Sequence, residues 1–312
     1  MALGFVFPGQ GSQSVGMLGD LAERFPQIRS TFVEAGDAIS RPLWQIASEG
    51  PDSELVRTEI TQPALLAASV AVWRVWQSQG GAAPVAVAGH SLGEYSALVC
   101  AGALEFSDAV RLVHRRGQLM QAAVPQGEGA MAAILGLEDA EVEAACAEVS
   151  GVVSAANYNA PGQVVIAGSA AAVAEAIERC KARGAKRATA LPVSGPFHCA
   201  LMRPAQESFA ADLAAVALRQ PQIPVVQNVD AAVAATVDEV RGKLLAQISS
   251  PVLWTACVQA MAASGVTRLA ECGPGRVLAG LVKRIDKNVE AFNLGSLDGL
   301  ESALAQEGVG HG

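Results

Sequence analysis

Apolar and polar positions divide this chain into short apolar runs that alternate with longer amphipathic stretches. Leu3–Phe7 reads as a strand ending in Pro8-Gly9-Gln10-Gly11-Ser12-Gln13, a glycine-rich turn able to aim backbone N–H groups at an anion or a developing oxyanion. From Asp20 to Ile60 the periodicity is helical but irregular. Gln62-Pro63 then opens a strongly apolar helix to about Gln79, with Trp73 and Trp76 at core spacing. A valine-rich strand breaks at Gly89, a helix follows to about Ala101, and Ser107-Asp108 reads as the cap of the next helix.

Pro125-Gln126-Gly127-Glu128-Gly129 marks a boundary, and the texture changes beyond it. Ala130–Leu135, Val152–Asn157, Gln163–Gly168 and Lys186–Pro192 read as strands; Asp139–Val149 and Ala170–Gly184 read as helices. That β-α-β-β-α-β order belongs to a ferredoxin-like unit. The first texture then returns, with a strand at Ile223–Val229, a turn at Gln247-Ile248-Ser249-Ser250-Pro251 before a helix carrying Trp254, and a last strand at Thr267–Glu271. Gly273-Pro274-Gly275 leads a helix through Ile285, and the tail from Gly308 reads as frayed. The expected fold is α/β: an α/β-hydrolase-like core with a mostly parallel sheet from residues 1–124 and 197–312, carrying a ferredoxin-like subdomain inserted at 125–196. A ligand cleft is expected between the two.

Composition narrows the function. With 312 residues, 51% hydrophobic but 4% aromatic, the chain can build a large core from small interlocking side chains. A net charge of −8 argues against nucleic acid as a partner. Two local basic groups stand out, Lys181/Arg183/Lys186/Arg187 and Lys283/Arg284/Lys287. The opening residues lack a basic leader, and the apolar run from Ala64 is broken by Arg74, so neither export nor membrane insertion is expected and the location is read as cytoplasmic. Six scattered cysteines and four histidines, none at metal-ligand spacing, are read as free thiols without a metal site.

The chemistry centres on Gly89-His90-Ser91-Leu92-Gly93, a Gly-x-Ser-x-Gly turn between strand and helix. That is the pattern of a nucleophile elbow, in which glycines let the backbone bend and lift the hydroxyl clear of the sheet. Ser91 and Glu94 also spell a capping box, so a purely structural serine stands as the rival reading. A nucleophilic serine needs a base. His198, on a loop after Gly195-Pro196, is the candidate; His90 points away at an elbow and His114 lies mid-helix. No loop acid stands out to orient His198, which predicts a Ser–His dyad with the imidazole held by a neutral group. Arg116 shares a helix face with Leu112, Val113, Leu119 and Met120, so it needs an anion, either an internal carboxylate or a ligand.

These motifs are co-linear with a known family. Phe7-Pro8-Gly9-Gln10-Gly11-Ser12-Gln13, Gly89-His90-Ser91-Leu92-Gly93-Glu94-Tyr95, Arg116, Asn157-Tyr158-Asn159 with Pro161-Gly162-Gln163, Pro196-Phe197-His198-Cys199-Ala200-Leu201-Met202 and Gly273-Pro274-Gly275 make the chain resemble the malonyl-CoA:acyl carrier protein transacylases, and the acyltransferase domains of polyketide synthases, from about residue 3 to about residue 300. The resemblance implies that Ser91 takes a malonyl group, with His198 as its base. It implies an oxyanion hole from the backbone N–H groups of Gln10 and Leu92, and orientation of His198 by the Gln247 main-chain carbonyl. Arg116 would bind the malonyl carboxylate and Met120 would line the pocket. Phe197, where relatives carry an aromatic or a serine, favours malonyl over methylmalonyl. The implied partners are malonyl-CoA and acyl carrier protein, with no cofactor, and a monomeric, free-standing enzyme is expected. The rivals are a polyketide-type acyltransferase of other specificity, a serine esterase or thioesterase with a loop acid near His198 and no use for Arg116, and a non-catalytic carrier-protein binding module.

Overall fold

The computed structural model describes residues 2–307, so the tail from Gly308 lies outside the described residues. In chain order the elements are β1 (Ala2–Phe7), α1 (Gly19–Arg24), α2 (Pro26–Ile39), α3 (Leu43–Glu49), α4 (Asp52–Leu55), α5 (Thr58–Ser78), β2 (Ala86–Gly89), α6 (Gly93–Cys100) and α7 (Phe106–Ala122). They continue with β3 (Gly129–Leu135), α8 (Asp139–Ala147), β4 (Val153–Ala160), β5 (Gln163–Ser169), α9 (Ala170–Ala182) and β6 (Arg187–Ala190). The chain closes with α10 (Arg203–Ala215), β7 (Val225–Gln227), β8 (Ala232–Val233), α11 (Val237–Gln247), α12 (Trp254–Ala263), β9 (Val266–Glu271), α13 (Val277–Ile285), β10 (Glu290–Asn293) and α14 (Leu297–Gln306).

The larger sheet has the order β10-β9-β1-β2-β7-β8, parallel throughout except for the β7–β8 pair. β1 sits in its middle, buried on both faces, which is why its sequence reads as a continuous apolar run. Phe5 and Phe7 face a core of α2, α5, α6 and α7, while Val6 faces the opposite core with Trp254, Met261, Leu278 and Val282. Phe5 meets Trp73 and Trp76 edge-on, with centroids 5.3 and 5.5 Å away. Each such aromatic burial contributes roughly 2–3 kcal/mol, so the Trp pair is core.

The second sheet is wholly antiparallel, β4-β5-β3-β6, with α8 and α9 on one face. Met131, Val165 and Ala167 on its other face join the large core. β4 is also tied to the main body, since Val252 N–H donates to Ala156 O and Tyr158 N–H to Val252 O, at 2.9 and 3.0 Å.

Several boundaries differ from expectation. The apolar helix starts at Thr58, so Pro63 lies inside it. α7 starts at Phe106 after Glu105 with no side-chain cap, because burial of Phe106 draws the start inward; Asp108 instead pairs with Arg111. The strand expected at Ile223–Val229 shortens to β7. Thr267–Glu271 is not the last strand, because β10 and α14 follow it. All six cysteines are buried free thiols. Among the described residues no helix is long and apolar enough to cross a membrane.

Candidate active site

The elbow forms at the C-terminal end of β2. Ser91 adopts φ 51°, a left-handed backbone that a non-glycine residue holds only under constraint. The constraint is visible. A side chain at Gly89 would come within 1.8 Å of Gly93 C, and one at Gly93 within 2.0 Å of Phe7 O. Asn228, just past β7, closes the turn: its Oδ1 accepts Ser91 N–H and its Nδ2 donates to Gly89 O, both at 2.8 Å. Ser91 therefore gives its N–H to Asn228, and α6 begins at Gly93 with no side-chain cap, so no capping box forms.

Ser91 Oγ lies 2.6 Å from His198 Nε2, although 107 positions separate them in sequence. His198 Nδ1 lies 2.8 Å from the main-chain oxygen of Gln247. A carbonyl only accepts, so Nδ1 carries the proton and Nε2 is left to accept from the serine hydroxyl. Gln247 is the last residue of α11 rather than part of a turn, and the final carbonyls of a helix have no partner within it. His198 thus finds a ready acceptor. Among the described residues no carboxylate hydrogen-bonds His198, in contrast to what a hydrolase triad requires. Burial, together with the neighbouring Arg116 cation, pushes the His198 pKa down to about 3, so the resting imidazole is neutral and able to accept a proton.

Arg116 is 1% exposed. Its Nη1 donates to Gln62 Oε1 at 2.9 Å, and its Nη2 to Gln247 Oε1 at 2.8 Å and to Ser91 Oγ at 3.3 Å. Its Cζ stands 5.5 Å from the Tyr95 ring centre. Nε has no partner, and among the described residues no carboxylate pairs with the guanidinium. Of the two anions open to it from sequence, an internal acid in contact is therefore absent. Met120, one turn on, places Sδ 3.8 Å from Gln62 Nε2.

These groups line a cleft of about 240 Å³ between the two sheets, walled by Met131, Val165 and Leu191 on one side and Leu278 and Leu281 on another. Gln10 and Leu92 also line it. The β1 turn packs against the elbow so closely that a Cβ at Gly9 would sit 2.5 Å from His90 O. Among the described residues neither the Gln10 nor the Leu92 N–H donates to another backbone carbonyl. His90 turns away, its Nε2 2.8 Å from Asn159 Oδ1. His114 Nδ1 donates to Glu59 O at 2.7 Å, outside the cleft lining. Gln62, Glu94, Gln227 and Asn228 were not singled out by spacing as site residues, because each is polar, local context explains it, and only the tertiary fold gathers them.

The comparison with known proteins decides the family. A model of the acyl transferase domain matches residues 4–294. The chain belongs to the acyl transferase family. Within it the likeness is to the transacylases that the motifs resemble. The malonyl CoA-acyl carrier protein transacylase of Escherichia coli K12 is 55% identical, covering 96% of this chain and 98% of that one. The enzyme of the same name from Bacillus subtilis 168 is 44% identical over 97% of this chain and 96% of its own. An acyl carrier protein S-malonyltransferase structure from Vibrio cholerae superimposes with a TM-score of 0.95 at 52% identity, covering 97% and 99% of the two chains. A malonyl-transacylase solved in complex with a type II polyketide synthase acyl carrier protein gives 0.97 at 51% identity, over 98% of this chain and all of that one (100%). This acyl transferase is accordingly an enzyme of group transfer, with a mixed α/β fold built on a largely parallel sheet.

Proposed function

We propose that the chain transfers the malonyl group of malonyl-CoA to the phosphopantetheine thiol of acyl carrier protein, through a malonyl ester on Ser91, and so supplies fatty acid synthesis. The observation that carries this reading is the guanidinium of Arg116, buried beside the nucleophile with no carboxylate on it among the described residues. An arginine fork suits a carboxylate, and a short dicarboxylic acyl group esterified to Ser91 brings one back to it.

Ser91 Oγ attacks the thioester carbonyl while its proton passes to His198 Nε2. The tetrahedral oxyanion is met by the Gln10 and Leu92 N–H groups, each such donor being worth roughly 3–4 kcal/mol in the transition state. Collapse breaks the C–S bond, and the CoA sulfur leaves with the proton from His198. In the second half, the carrier thiol gives its proton to His198, its sulfur attacks the ester, and the proton returns to Ser91 as the ester bond breaks. Gln247 O holds the imidazole in the required tautomer throughout. No cofactor takes part.

Met120 and Phe197 complete the acyl pocket. The enzyme works as a monomer in the cytoplasm, without nucleic acid or membrane as a partner. The larger sheet and its helices support an α/β-hydrolase-like body of residues 1–124 and 197–312. The β3-α8-β4-β5-α9-β6 order with its 4-1-3-2 strand arrangement supports a ferredoxin-like insertion at 125–196.

Incubation with malonyl-CoA, followed by intact-mass measurement, should add one malonyl group to the wild type and none to Ser91→Ala. Arg116→Ala should lower malonyl transfer about 100-fold while acetyl transfer is kept or raised. Undiminished malonyl transfer by Arg116→Ala would reject the clamp, and hydrolysis to free malonate with no transfer to carrier thiol would favour the esterase.

A further inference from the structure

Among the described residues, Arg116 is a buried cation with no acid in contact, and Glu94 is a buried acid with no cation in contact. Both are bound to the same amide. Glu94 Oε2 accepts from Gln247 Nε2 at 3.1 Å and from Asn228 N–H at 2.8 Å, and Oε1 accepts from Gln227 Nε2 at 3.0 Å. On the other side of the Gln247 side chain, Oε1 accepts from Arg116 Nη2 at 2.8 Å. Burial raises the Glu94 pKa, and three converging N–H donors together with the nearby Arg116 charge act against that rise in favour of the ionised form. An ionised carboxylate only accepts and a guanidinium only donates, so one orientation of the Gln247 amide satisfies both.

With an acid directly on the fork, the pair would be neutralised within the fold and an incoming carboxylate would meet no free charge. With no acid at all, the guanidinium would stand as an uncompensated buried charge, which destabilises a fold severely. We propose that Glu94 is the resident counter-ion of Arg116, held one amide away by Gln247 so that the guanidinium is balanced while its fork stays open to the substrate's carboxylate. The second half of this statement rests on the assignment of Arg116 to the malonyl carboxylate; the first does not. Glu94 touches neither substrate nor reacting atoms. It is a positioning residue, acting through Gln247, whose Nε2 also donates to Ser91 O at 3.0 Å and whose main-chain oxygen holds His198.

Two measurements test the two halves separately. The first compares thermal unfolding of wild type, Glu94→Gln, Arg116→Leu and the double variant. Each single change should lower Tm by about 5 °C or more, and the double by less than either, because it removes both charges. Losses that simply add overturn the counter-ion, whatever Arg116 binds. The second uses the exchanged pair Glu94→Gln with Gln247→Glu, which keeps the total charge and a donor facing an acceptor but puts the acid on the guanidinium. Its preference for malonyl-CoA over acetyl-CoA, as a ratio of kcat/KM, should fall about 30-fold or more, over and above any loss common to both acyl groups from the missing donor to Ser91 O. An unchanged ratio, whatever the common loss, overturns the open fork. Should Arg116→Ala itself keep the malonyl preference, the clamp fails, and the unfolding comparison still reads the counter-ion.

Discussion

His198 is buried away from water beside a fixed cation, and both disfavour its charged form. The folded chain therefore protonates it only near pH 3, whereas the unfolded chain does so near 6.5. Below 6.5 the unfolded state binds the extra proton, so the stability that neutral His198 contributes is complete above pH 6.5 and is lost progressively as pH falls toward 3. The slope is at most about 1.4 kcal/mol per pH unit. Urea unfolding of wild type and His198→Asn between about pH 7 and 4.5 should show a shallower pH dependence in the variant; parallel curves would contradict the burial argument. The same neutrality predicts a rate of serine acylation without an inflection near 6.5, and stopped-flow acylation that halves at that pH would count against it. At this scale the sequence spoke through residue type in context. Ser91 between glycines and Arg116 on an apolar face were legible because each is chemically out of place without a function. Asn228, which closes the elbow, and Glu94, which turns the Gln247 amide, were not, because asparagine after a short strand and glutamate in a first helical turn are ordinary local choices.

The α5 helix shows how a local irregularity is absorbed by a neighbouring element. Pro63 has no N–H, so the carbonyl four residues back, Glu59 O, has no helical donor. His114 on α7 fills that role through Nδ1 at 2.7 Å, while its Nε2 lies 3.1 Å from Gln118 Nε2. The mid-helix histidine is thereby a splint between α5, which carries Gln62, and α7, which carries Arg116. His114→Ala should destabilise the protein by about 1–2 kcal/mol by leaving a part-buried carbonyl unpaired. Pro63→Ala should restore an N–H to the ladder and recover most of that loss in the double variant, as read by urea unfolding. An undiminished loss in the double variant would show that His114 acts elsewhere. Reading Gln62-Pro63 as a helix start follows from the usual place of proline in a first turn, and the structure overrides it because α7 supplies the missing donor. β10 is hard to see for a different reason: four residues with one buried side chain have no periodicity of their own, and the strand exists because β9 offers it an edge. α14 does carry a signal, with Ser296 accepting Gly299 N–H as its cap and Leu300 and Leu304 one turn apart in the core.

Charge decides where a carrier protein meets the cleft. Acyl carrier proteins are acidic and this chain is itself at −8, so contact depends on a local basic face near the opening. The two basic groups visible in the sequence differ once folded. Arg183 is paired with Glu141 of α8 and Glu148 just past it, and Lys181 with Glu178 of α9, so acids already partner those two cations. Lys283 and Arg284 belong instead to α13, whose Val277, Leu278 and Leu281 line the cleft, and Val277 is half exposed at its rim. Arg284 reaches across to Gln163 of β5, another residue of the cleft lining, so its charge is held at the junction of the two sheets rather than spent on an acid. Reversing both charges, Lys283→Glu with Arg284→Glu, should raise KM for acyl carrier protein about tenfold or more, and the effect should shrink as salt is added, since exposed charges are screened within about 10 Å at 0.1 M. The same reversal should leave the rate of Ser91 acylation by malonyl-CoA within about twofold, because that half reaction needs no carrier. Lys181→Glu with Arg183→Glu should leave KM for the carrier nearly unchanged. If the α9 pair were the one to raise it, the acid partners of α8 would have to open on binding, and the carrier would approach over the four-stranded sheet instead of along α13.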